Sequence, residues 1–247
     1  MIQNGCGTST KYFGVFSMQP DIGVVYTARG SNVGSGAPDW KARFPRFIKS
    51  YLQHLAGIDH KLYIFYKEFA GAPDLAWARE QFAVLGNRVE ILNHLGSKTT
   101  AGCTDVCDDV SESILCPLNS SSEIMHDDWL KKLYGVFKAP GVGLVGCTGS
   151  HVANLHIRDT AFLVGRQHYF DTASQFNWED SSRTGPLEFE HGGNNLTIQT
   201  MRAGLKVFVV ENNRAIEPNE WPHPTTYQGN LHNVLVHDRG ARDYQDG

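Results

Sequence analysis

IGVVYT, residues 22–27, is a short apolar run rich in β-branched residues, and it stops at the polar stretch 28–32. This pattern is typical of a buried strand followed by its exit loop. Residues 44–56 then carry apolar side chains at three- and four-residue spacing, which predicts an amphipathic helix. Residues 61–69 form a second apolar run and predict the next strand. The chain therefore begins as strand, helix, strand.

The same alternation continues along the chain. Further helices are predicted over 73–85, 127–137 and 196–203, and further strands over 88–92, 113–118, 142–146, 160–164 and 204–210. Strands that alternate with helices pair in parallel through right-handed crossovers. We therefore predict a single α/β domain over residues 21–247, with a mostly parallel central sheet, helices on both faces and an N-terminal extension over residues 1–20.

Composition limits the class of protein. The 247 residues are 41% hydrophobic and 19% charged, which is typical of a globular domain. The net charge of −4 argues against an extended contact with a nucleic-acid backbone. The sequence holds no apolar run of about 18 residues and no signal-like start, so we expect a cytoplasmic protein without a transmembrane segment. Five cysteines are an odd number and predict reduced thiols.

Common catalytic motifs do not fit their required contexts. GVGLVG at 141–146 matches G-x-G-x-x-G but lies before and inside a predicted strand instead of opening a helix. Cys103 and Cys107 lack a second ligand pair at zinc spacing, so two ordinary thiols are the better interpretation. Ligands of open α/β sheets bind at the carboxyl ends of strands. Here these ends are the segments starting at Thr27, Glu68, Asn119 and Gly146.

Several segments together carry a resemblance to a known family. LNSSSEI at 118–124 follows a predicted strand and precedes HDDWL at 126–130, the context in which A-type nucleotide-sugar glycosyltransferases carry a metal-binding Asp-x-Asp. The order continues through 142–150, 160–166, 187–196 and 202–210. From Asp21 to Tyr244 the chain resembles family 2-type glycosyltransferases, in particular bacterial and viral members. The resemblance implies a GT-A-type, Rossmann-like domain.

The resemblance also implies that the two halves of the domain bind different substrates. Residues 21–150 would bind a nucleoside diphosphate sugar as the donor, and residues 151–247 would bind a carbohydrate or glycoconjugate acceptor. Carried over by position, the donor-binding residues are Thr27, Ala28, Arg29, Glu68, Asn119, Ser121 and Glu123. Polar strand ends that meet water are the structural alternative for Thr27 and Glu68.

Glu190 stands where the inverting members of this family keep an acidic residue, just before the acceptor-side helix. The acceptor hydroxyl must lose its proton as it attacks the anomeric carbon, and a carboxylate can accept that proton. Glu188 is the rival base, since it would share a face with Glu190 if the segment is extended. A solvated acidic turn is the alternative for both.

The resemblance further implies three acceptor contacts, which are Arg158, Trp221 and His223. An aromatic face such as that of Trp221 is a good platform for a pyranose ring. A core anchor is the alternative for Trp221, and a surface ion pair is the alternative for Arg158.

The metal-binding position departs from the family pattern, because NSS at 119–121 replaces two carboxylates. Mg²⁺ and Mn²⁺ prefer anionic oxygen, so an amide and hydroxyls bind them poorly. Glu123 could supply one carboxylate, with His223 or Asp238 from the tail as partners. Otherwise hydrogen-bond donors must stabilise the diphosphate leaving group, and the candidates are a helix N-terminus, Arg29 or Arg239. We therefore expect any activity to depend only weakly on a divalent metal.

Three functions are compatible with these patterns. The first is glycosyl transfer in polysaccharide or glycan synthesis, by a hexosyltransferase with a carboxylate base and inversion at the anomeric carbon. The second is a catalytically inactive module of the same fold that binds a nucleotide sugar or carbohydrate. The third, nucleotidyl transfer, would need a glycine-rich loop with Arg and Lys near the first strand, which the sequence lacks.

Overall fold

The computed structural model describes residues 21–31, 40–92, 102–176, 178, 184–221, 226–227 and 233–238. Its strands are β1 (Ile22–Arg29), β2 (Lys61–Lys67), β3 (Val89–Leu92), β4 (Ile114–Leu118), β5 (Glu123–Ile124), β6 (Val142–Gly146), β7 (Gly149–Ser150), β8 (His156–Ile157), β9 (Phe162–Gly165), β10 (Lys206–Val210), β11 (Ala215–Ile216), β12 (Thr226–Tyr227) and β13 (Val236–His237). Its helices are α1 (Arg43–Gln53), α2 (Ala72–Phe82), α3 (Gly102–Asp109), α4 (Trp129–Phe137), α5 (Arg166–Ala173), α6 (Thr184–His191) and α7 (Leu196–Arg202).

Within the described ranges, eight strands form a central sheet in the order β11-β10-β6-β9-β4-β1-β2-β3. Strand β1 pairs in parallel with β2 and β4, and β2 pairs in parallel with β3. Strand β10 pairs in parallel with β6. The prediction of a mostly parallel α/β sheet is therefore confirmed.

Strand β9 interrupts the parallel pattern, because it runs antiparallel to both β4 and β6. Its first residues therefore lie at the carboxyl edge of β4, and Leu118 forms an antiparallel bridge with Ala161. Residues 159 and 160, just before this bridge, consequently lie beside the loop that leaves β4. This antiparallel insertion positions much of the candidate site.

Helices cover both faces of the sheet, as predicted. On one face α1, α2 and α4 pack on the alternate residues Val24, Tyr26 and Ala28 of β1, and the ring of Tyr26 stacks on Phe47 with centroids 3.7 Å apart. On the other face α3, α5, α6 and α7 enclose a second cluster around Val25. Alternate side chains of a strand point to opposite faces, so burial on both faces explains the unbroken apolar run of β1.

Helix bounds differ from the predicted ones by a few residues. Helix α1 ends at Gln53 because His54 adopts an extended conformation, with φ of −115° and ψ of 117°. Three helices, α3, α5 and α6, were not predicted at all. Each is eight residues long, too short for a clear apolar period.

The C-terminal segment 233–238 returns to the sheet edge that carries the site. Strand β13 pairs antiparallel with β5, which aligns His237 with Glu123. Asp238 therefore lies directly beside the loop after β4. Within the described residues, no helix combines the length and the apolar character needed to cross a membrane.

Candidate active site

A cavity of about 110 Å³ opens at the carboxyl ends of β1 and β4. Its polar lining comes from four different parts of the chain, Thr27 at the end of β1, Asn119 after β4, Asp159 after β8 and Glu190 on α6. Its apolar lining consists of Pro117, Leu118, Ile157, Phe162, Tyr169, Phe189 and Leu196. Concave sites of this kind, with a few convergent polar groups, are typical of ligand-binding pockets.

Asn119 is the residue that connects the two sides of this cavity. Its Oδ1 accepts hydrogen bonds from the Ser121 amide at 2.8 Å and from Ser122 Oγ at 3.3 Å, which closes a tight turn after β4. Its Nδ2 donates to Asp159 Oδ1 at 3.2 Å and to Asp238 Oδ2 at 3.3 Å. The amide thus turns its donor, and not its oxygen, toward the two carboxylates.

Asp238 is 4% exposed and is held by donors from three directions. Thr160 Oγ1 donates to its Oδ2 at 2.9 Å, and Arg158 Nη2 lies 3.3 Å from the same oxygen. The third donor is Asn119. A buried carboxylate needs such partners, because an unpaired charge away from water is costly. Asp238 therefore ties the C-terminal segment to the site.

Glu190 lies in the last turn of α6 and is partly buried. The negative charge of Asp159, removal from water and the charge of Asp238 raise the pKa of Glu190 to about 8, against the opposing charge of Arg158. A carboxyl group with this pKa exchanges its proton near neutral pH. Chemically, it can accept a proton from a hydroxyl bound in the cavity.

Glu188 lies away from Glu190, although both are on α6. Because the segment is helical and not extended, residues two positions apart point in different directions. Glu188 is exposed, whereas Phe189 between them packs its ring edge-on against Tyr169 at 5.5 Å. The condition under which the two carboxylates would share a face is therefore not met.

Arg29 and Glu68 face each other at the ends of the neighbouring strands β1 and β2. The Arg29 guanidinium pairs with both carboxylate oxygens of Glu68 through Nε and Nη2, the latter at 2.8 Å from Oε1. Ser31 Oγ also donates to this carboxylate, at 2.5 Å. Glu68 has a φ of 59°, a left-handed conformation that is uncommon for a residue other than glycine. The hydrogen bonds from Arg29 and Ser31 help to hold Glu68 in place. Ala28 is fully buried, so in this structure neither its side chain nor its backbone is exposed to a ligand.

The other predicted site residues lie in several places. Glu123 is on β5 with its Oε2 3.8 Å from His237 Nε2. Trp221 is only 3% exposed, and its ring packs on Gly149 and lies 5.9 Å from the ring of His151. In this state the ring presents no open face to a sugar, and the acceptor role of Trp221 stays a prediction. His223 and Arg239 lie outside the described residues.

The residues around Asn119 do not fit a divalent metal. The Asn119 oxygen is used within its own turn, and both oxygens of Asp238 face donors. Hard cations need several oxygen ligands free to coordinate them. In the part of the chain that the structure describes, no group of three or more His, Cys, Asp or Glu side chains could hold a metal ion.

Asp159 and Thr160 were missed as site residues by sequence reasoning. Both belong to the stretch HIRDT at 156–160, in which only Arg158 was singled out. The signal that could have identified Asp159 is an acidic residue directly before a strand. That signal becomes informative only when the strand is known to run antiparallel.

The solved structures that share this fold include the following two. The mannosyltransferase PcManGT from Pyrobaculum calidifontis, in complex with GDP-Man and Mn²⁺, matches with a TM-score of 0.55 and 7% identity, covering 78% of this chain and 55% of that chain. GalNAc-T7, with UDP, GalNAc and Mn²⁺, matches with a TM-score of 0.52 and 10% identity, covering 82% of this chain and 43% of that chain. This chain thus spans about half the length of either protein.

No protein-family model matches the sequence, and no curated protein matches it. The likeness to known proteins is therefore a likeness of fold, carried by the parallel sheet and its covering helices. The chain adopts the GT-A-type fold of nucleotide-sugar glycosyltransferases.

Proposed function

We propose that this protein transfers a glycosyl group from a nucleoside diphosphate sugar to a hydroxyl of a carbohydrate or glycoconjugate acceptor. The observation that carries the proposal is that Glu190 lines the same cavity as Thr27 and Asn119, at the carboxyl ends of β1 and β4. In this fold class, ligands bind at such strand ends. A proton-accepting group therefore stands beside the expected donor position.

Glu190 is the proposed general base. The acceptor hydroxyl gives its proton to the Glu190 carboxylate while its oxygen forms a bond to the anomeric carbon. The bond between that carbon and the diphosphate oxygen breaks, and the nucleoside diphosphate leaves with the electron pair. Attack from the face opposite the leaving group inverts the configuration. A pKa of about 8 suits this step, because a base is most effective when its pKa lies near the working pH.

The donor is proposed to lie along the ends of β1, β2 and β4. Thr27 and the backbone of Ala28 are within the strand end, and the loop 119–123 would face the diphosphate and the sugar. Arg29 is the proposed hydrogen-bond donor to the diphosphate on this side, with its guanidinium oriented by the Glu68 carboxylate. The two solved structures compared above contain a nucleotide or nucleotide sugar together with Mn²⁺. For this chain we propose only weak metal dependence, because NSS at 119–121 supplies no carboxylate.

The finer features of the proposal rest on the family resemblance. These are the transfer of a hexose, a role in polysaccharide or glycan synthesis and a cytoplasmic location. An inactive module that binds nucleotide sugars remains the second candidate. The observation in its favour is that both ends of the Asn119 amide form hydrogen bonds within the protein and are not free to bind a diphosphate or a metal.

A thermal-shift screen tests donor binding. A ligand that binds only the folded protein raises the melting temperature, by an amount set by its concentration and affinity. We expect at least one of the uridine, thymidine, guanosine, cytidine and adenosine diphosphate sugars to do so, with and without Mn²⁺. A flat response to all five would refute donor binding.

Transfer assays then separate the enzyme from the inactive module. We expect turnover of the stabilising donor, and we expect EDTA to leave most of that turnover. Saturable binding without transfer or hydrolysis under any metal would favour the binding module. Loss of nearly all transfer on adding EDTA, with recovery on adding Mn²⁺, would contradict the metal prediction.

A further inference from the structure

The inner wall of the cavity is apolar, whereas its opening is polar. The wall consists of five buried side chains, and the four polar lining residues are half-buried or exposed. The five are Ile157, Phe162, Tyr169, Phe189 and Leu196. The polar groups therefore stand at the opening. Proton transfer to Glu190 takes place there, so the mechanism proposed above gives the apolar wall no role.

The apolar wall borders open space and is not closed core. Its five side chains keep between 4% (Tyr169) and 8% (Phe189) of their surface exposed. Leu115 and Leu144, in the same hydrophobic cluster, are 0% exposed. Water that enters the cavity therefore meets apolar surface. An apolar group of a ligand that displaces such water gains affinity.

Aromatic rings fix the shape of this wall. The ring of Tyr169, on α5, contacts Phe162 of β9 with centroids 6.0 Å apart and Phe189 of α6 with centroids 5.5 Å apart, the latter edge-on. Aromatic pairs at these distances and angles are packed contacts. Three different elements therefore hold the wall in place.

The size of the cavity, about 110 Å³, limits the group that can enter it. An apolar cavity of roughly 150 Å³ holds one benzene molecule, so this one has room for about four non-hydrogen atoms. A lipid chain is too large, and a lone hydroxyl would leave most of the apolar wall uncovered. The charge of Asp159 at the opening disfavours a carboxylate. The group that fits is small, uncharged and apolar at its inner end.

We infer that this cavity binds the acetamido group of an N-acetylhexosamine unit. The methyl carbon enters the apolar end, and the amide stays at the opening. There the amide N–H can donate to the Asp159 carboxylate, and the Thr27 hydroxyl can donate to the acetamido oxygen. That a sugar carries the group rests on the proposed function, whereas the acetamido site itself rests on the cavity. The sugar is either that of the donor or a unit of the acceptor.

Saturation-transfer NMR with methyl glycosides tests the site without any transfer reaction. The probes are the methyl glycosides of N-acetylglucosamine and N-acetylgalactosamine, each compared with the glucoside or galactoside that carries a hydroxyl in place of the acetamido group. We expect the acetyl methyl protons to receive the most saturation, because they lie against the aromatic rings. We expect the N-acetyl forms to bind about tenfold more tightly, as is usual for a methyl-sized group in an apolar pocket.

Variants that fill the cavity show where the acetyl group binds. Leu196→Phe and Ile157→Phe each place a larger side chain in the wall, and we expect both to remove most of the tenfold preference while the plain glycosides bind as before. Leu196→Met conserves the side-chain volume and should keep the preference. Unfolding midpoints verify folding, and the two positions make the result independent of how well one variant folds.

Competition distinguishes the two sources of the acetamido group. If the donor carries it, UDP-N-acetylglucosamine or UDP-N-acetylgalactosamine displaces the methyl glycoside. If the acceptor carries it, the methyl glycoside stays bound in the presence of the donor that the thermal-shift screen identifies. Either result supports the acetamido site.

Two results would overturn the inference. The first is equal binding of the N-acetyl and hydroxyl forms. The second is an acetyl methyl signal that persists in both filling variants, because the group then lies elsewhere. N-acetyl glycoside binding by a protein that transfers no sugar would contradict the proposed function and leave the acetamido site in place. Transfer of a hexose without any N-acetyl preference would contradict this inference alone.

Discussion

Glu190 and Asp159 line one cavity, and the charge of Asp159 is the largest influence on the proton affinity of Glu190. Only the ionised form of Glu190 can accept a proton from a hydroxyl. Below its pKa of about 8 the ionised fraction falls about tenfold per pH unit. The pH dependence of transfer therefore reports on this pair of residues.

We predict that kcat/KM for transfer rises from pH 6 to a plateau above about pH 8. In Asp159→Asn the main negative neighbour is gone, so the midpoint of this rise should move to lower pH. The pH–rate profile of both proteins measures the shift. Asp171→Asn, an exposed change on α5, is the control and should keep the original midpoint. An unchanged midpoint in Asp159→Asn would contradict the electrostatic coupling.

The same pKa shift has a consequence for stability. A carboxyl group whose pKa rises from 4.5 to about 8 on folding holds its proton more tightly in the folded protein. Its favourable contribution is full below about pH 4.5 and is lost as the pH rises through about 8. At high pH the folded protein holds the ionised Glu190 carboxylate away from water and close to Asp159 and Asp238, which lowers the free energy of unfolding.

We predict that Glu190→Gln raises the free energy of unfolding by about 1–3 kcal/mol at pH 9 and changes it little at pH 5. Urea unfolding at the two pH values measures the difference. Glu188→Gln, on the exposed side of the same helix, should have the free energy of unfolding of the wild-type protein at both pH values. Equal effects of Glu190→Gln at pH 5 and pH 9 would show that ionisation of Glu190 does not destabilise the folded protein.

At the level of helices and strands, much of the architecture could be predicted. The apolar runs 22–27, 113–118 and 142–146 are strands close to their expected bounds, because burial on both faces leaves an unbroken apolar signal. The direction of β9 could not be predicted. Its side chains are as apolar as those of a parallel strand, and direction depends on the connection between strands.

Helix α6 shows why the two carboxylates were difficult to separate. Leu187, Glu188, Phe189 and Glu190 alternate apolar and acidic residues, a period of two that is typical of a strand. In the helix Phe189 packs in the core and Leu187 is exposed. Tertiary packing outweighed the local pattern, and it directs Glu190 to the cavity and Glu188 to solvent.

The start of α7 offers a test at this scale. Asn195 is fully buried, its Oδ1 accepts from the Ile198 amide at 3.0 Å, and its Nδ2 donates to the carbonyls of Leu155 and Gly192. We predict that Asn195→Ala lowers the free energy of unfolding by about 2–3 kcal/mol, because it removes the helix cap and leaves buried groups unpaired.

Asn194→Ala is the matched control for that change. Asn194 is exposed, and its side chain accepts only from Arg202 Nη1 among the described residues. Loss of the Asn194 side chain should lower the free energy of unfolding by less than about 0.5 kcal/mol. Urea unfolding of both variants gives the comparison. Similar losses in the two would mean that Asn195 does not anchor α7.

At the scale of the whole molecule, the site is closed by a contact between residues 119 positions apart. Asn119 meets Asp238 because β13 returns to pair with β5. The tail from residue 211 has little periodicity, so its path could not be predicted from the sequence. Thr27 and Asn119 could be expected to lie together, since strand ends in a parallel sheet meet at one edge, whereas the place of Glu190 was implied only by the family resemblance.

The rate of sugar transfer by Glu190→Gln, compared with Glu188→Gln, tests the proposed mechanism most directly. Both variants replace a carboxylate by an amide of the same shape on the same helix, and closely similar unfolding midpoints at pH 5, where Glu190→Gln changes the stability little, verify that both are folded. We predict that Glu190→Gln loses about 10²–10⁴-fold in transfer, with donor binding kept, and that Glu188→Gln stays near the wild-type rate. Near wild-type transfer by Glu190→Gln would contradict a role for this carboxylate as the base.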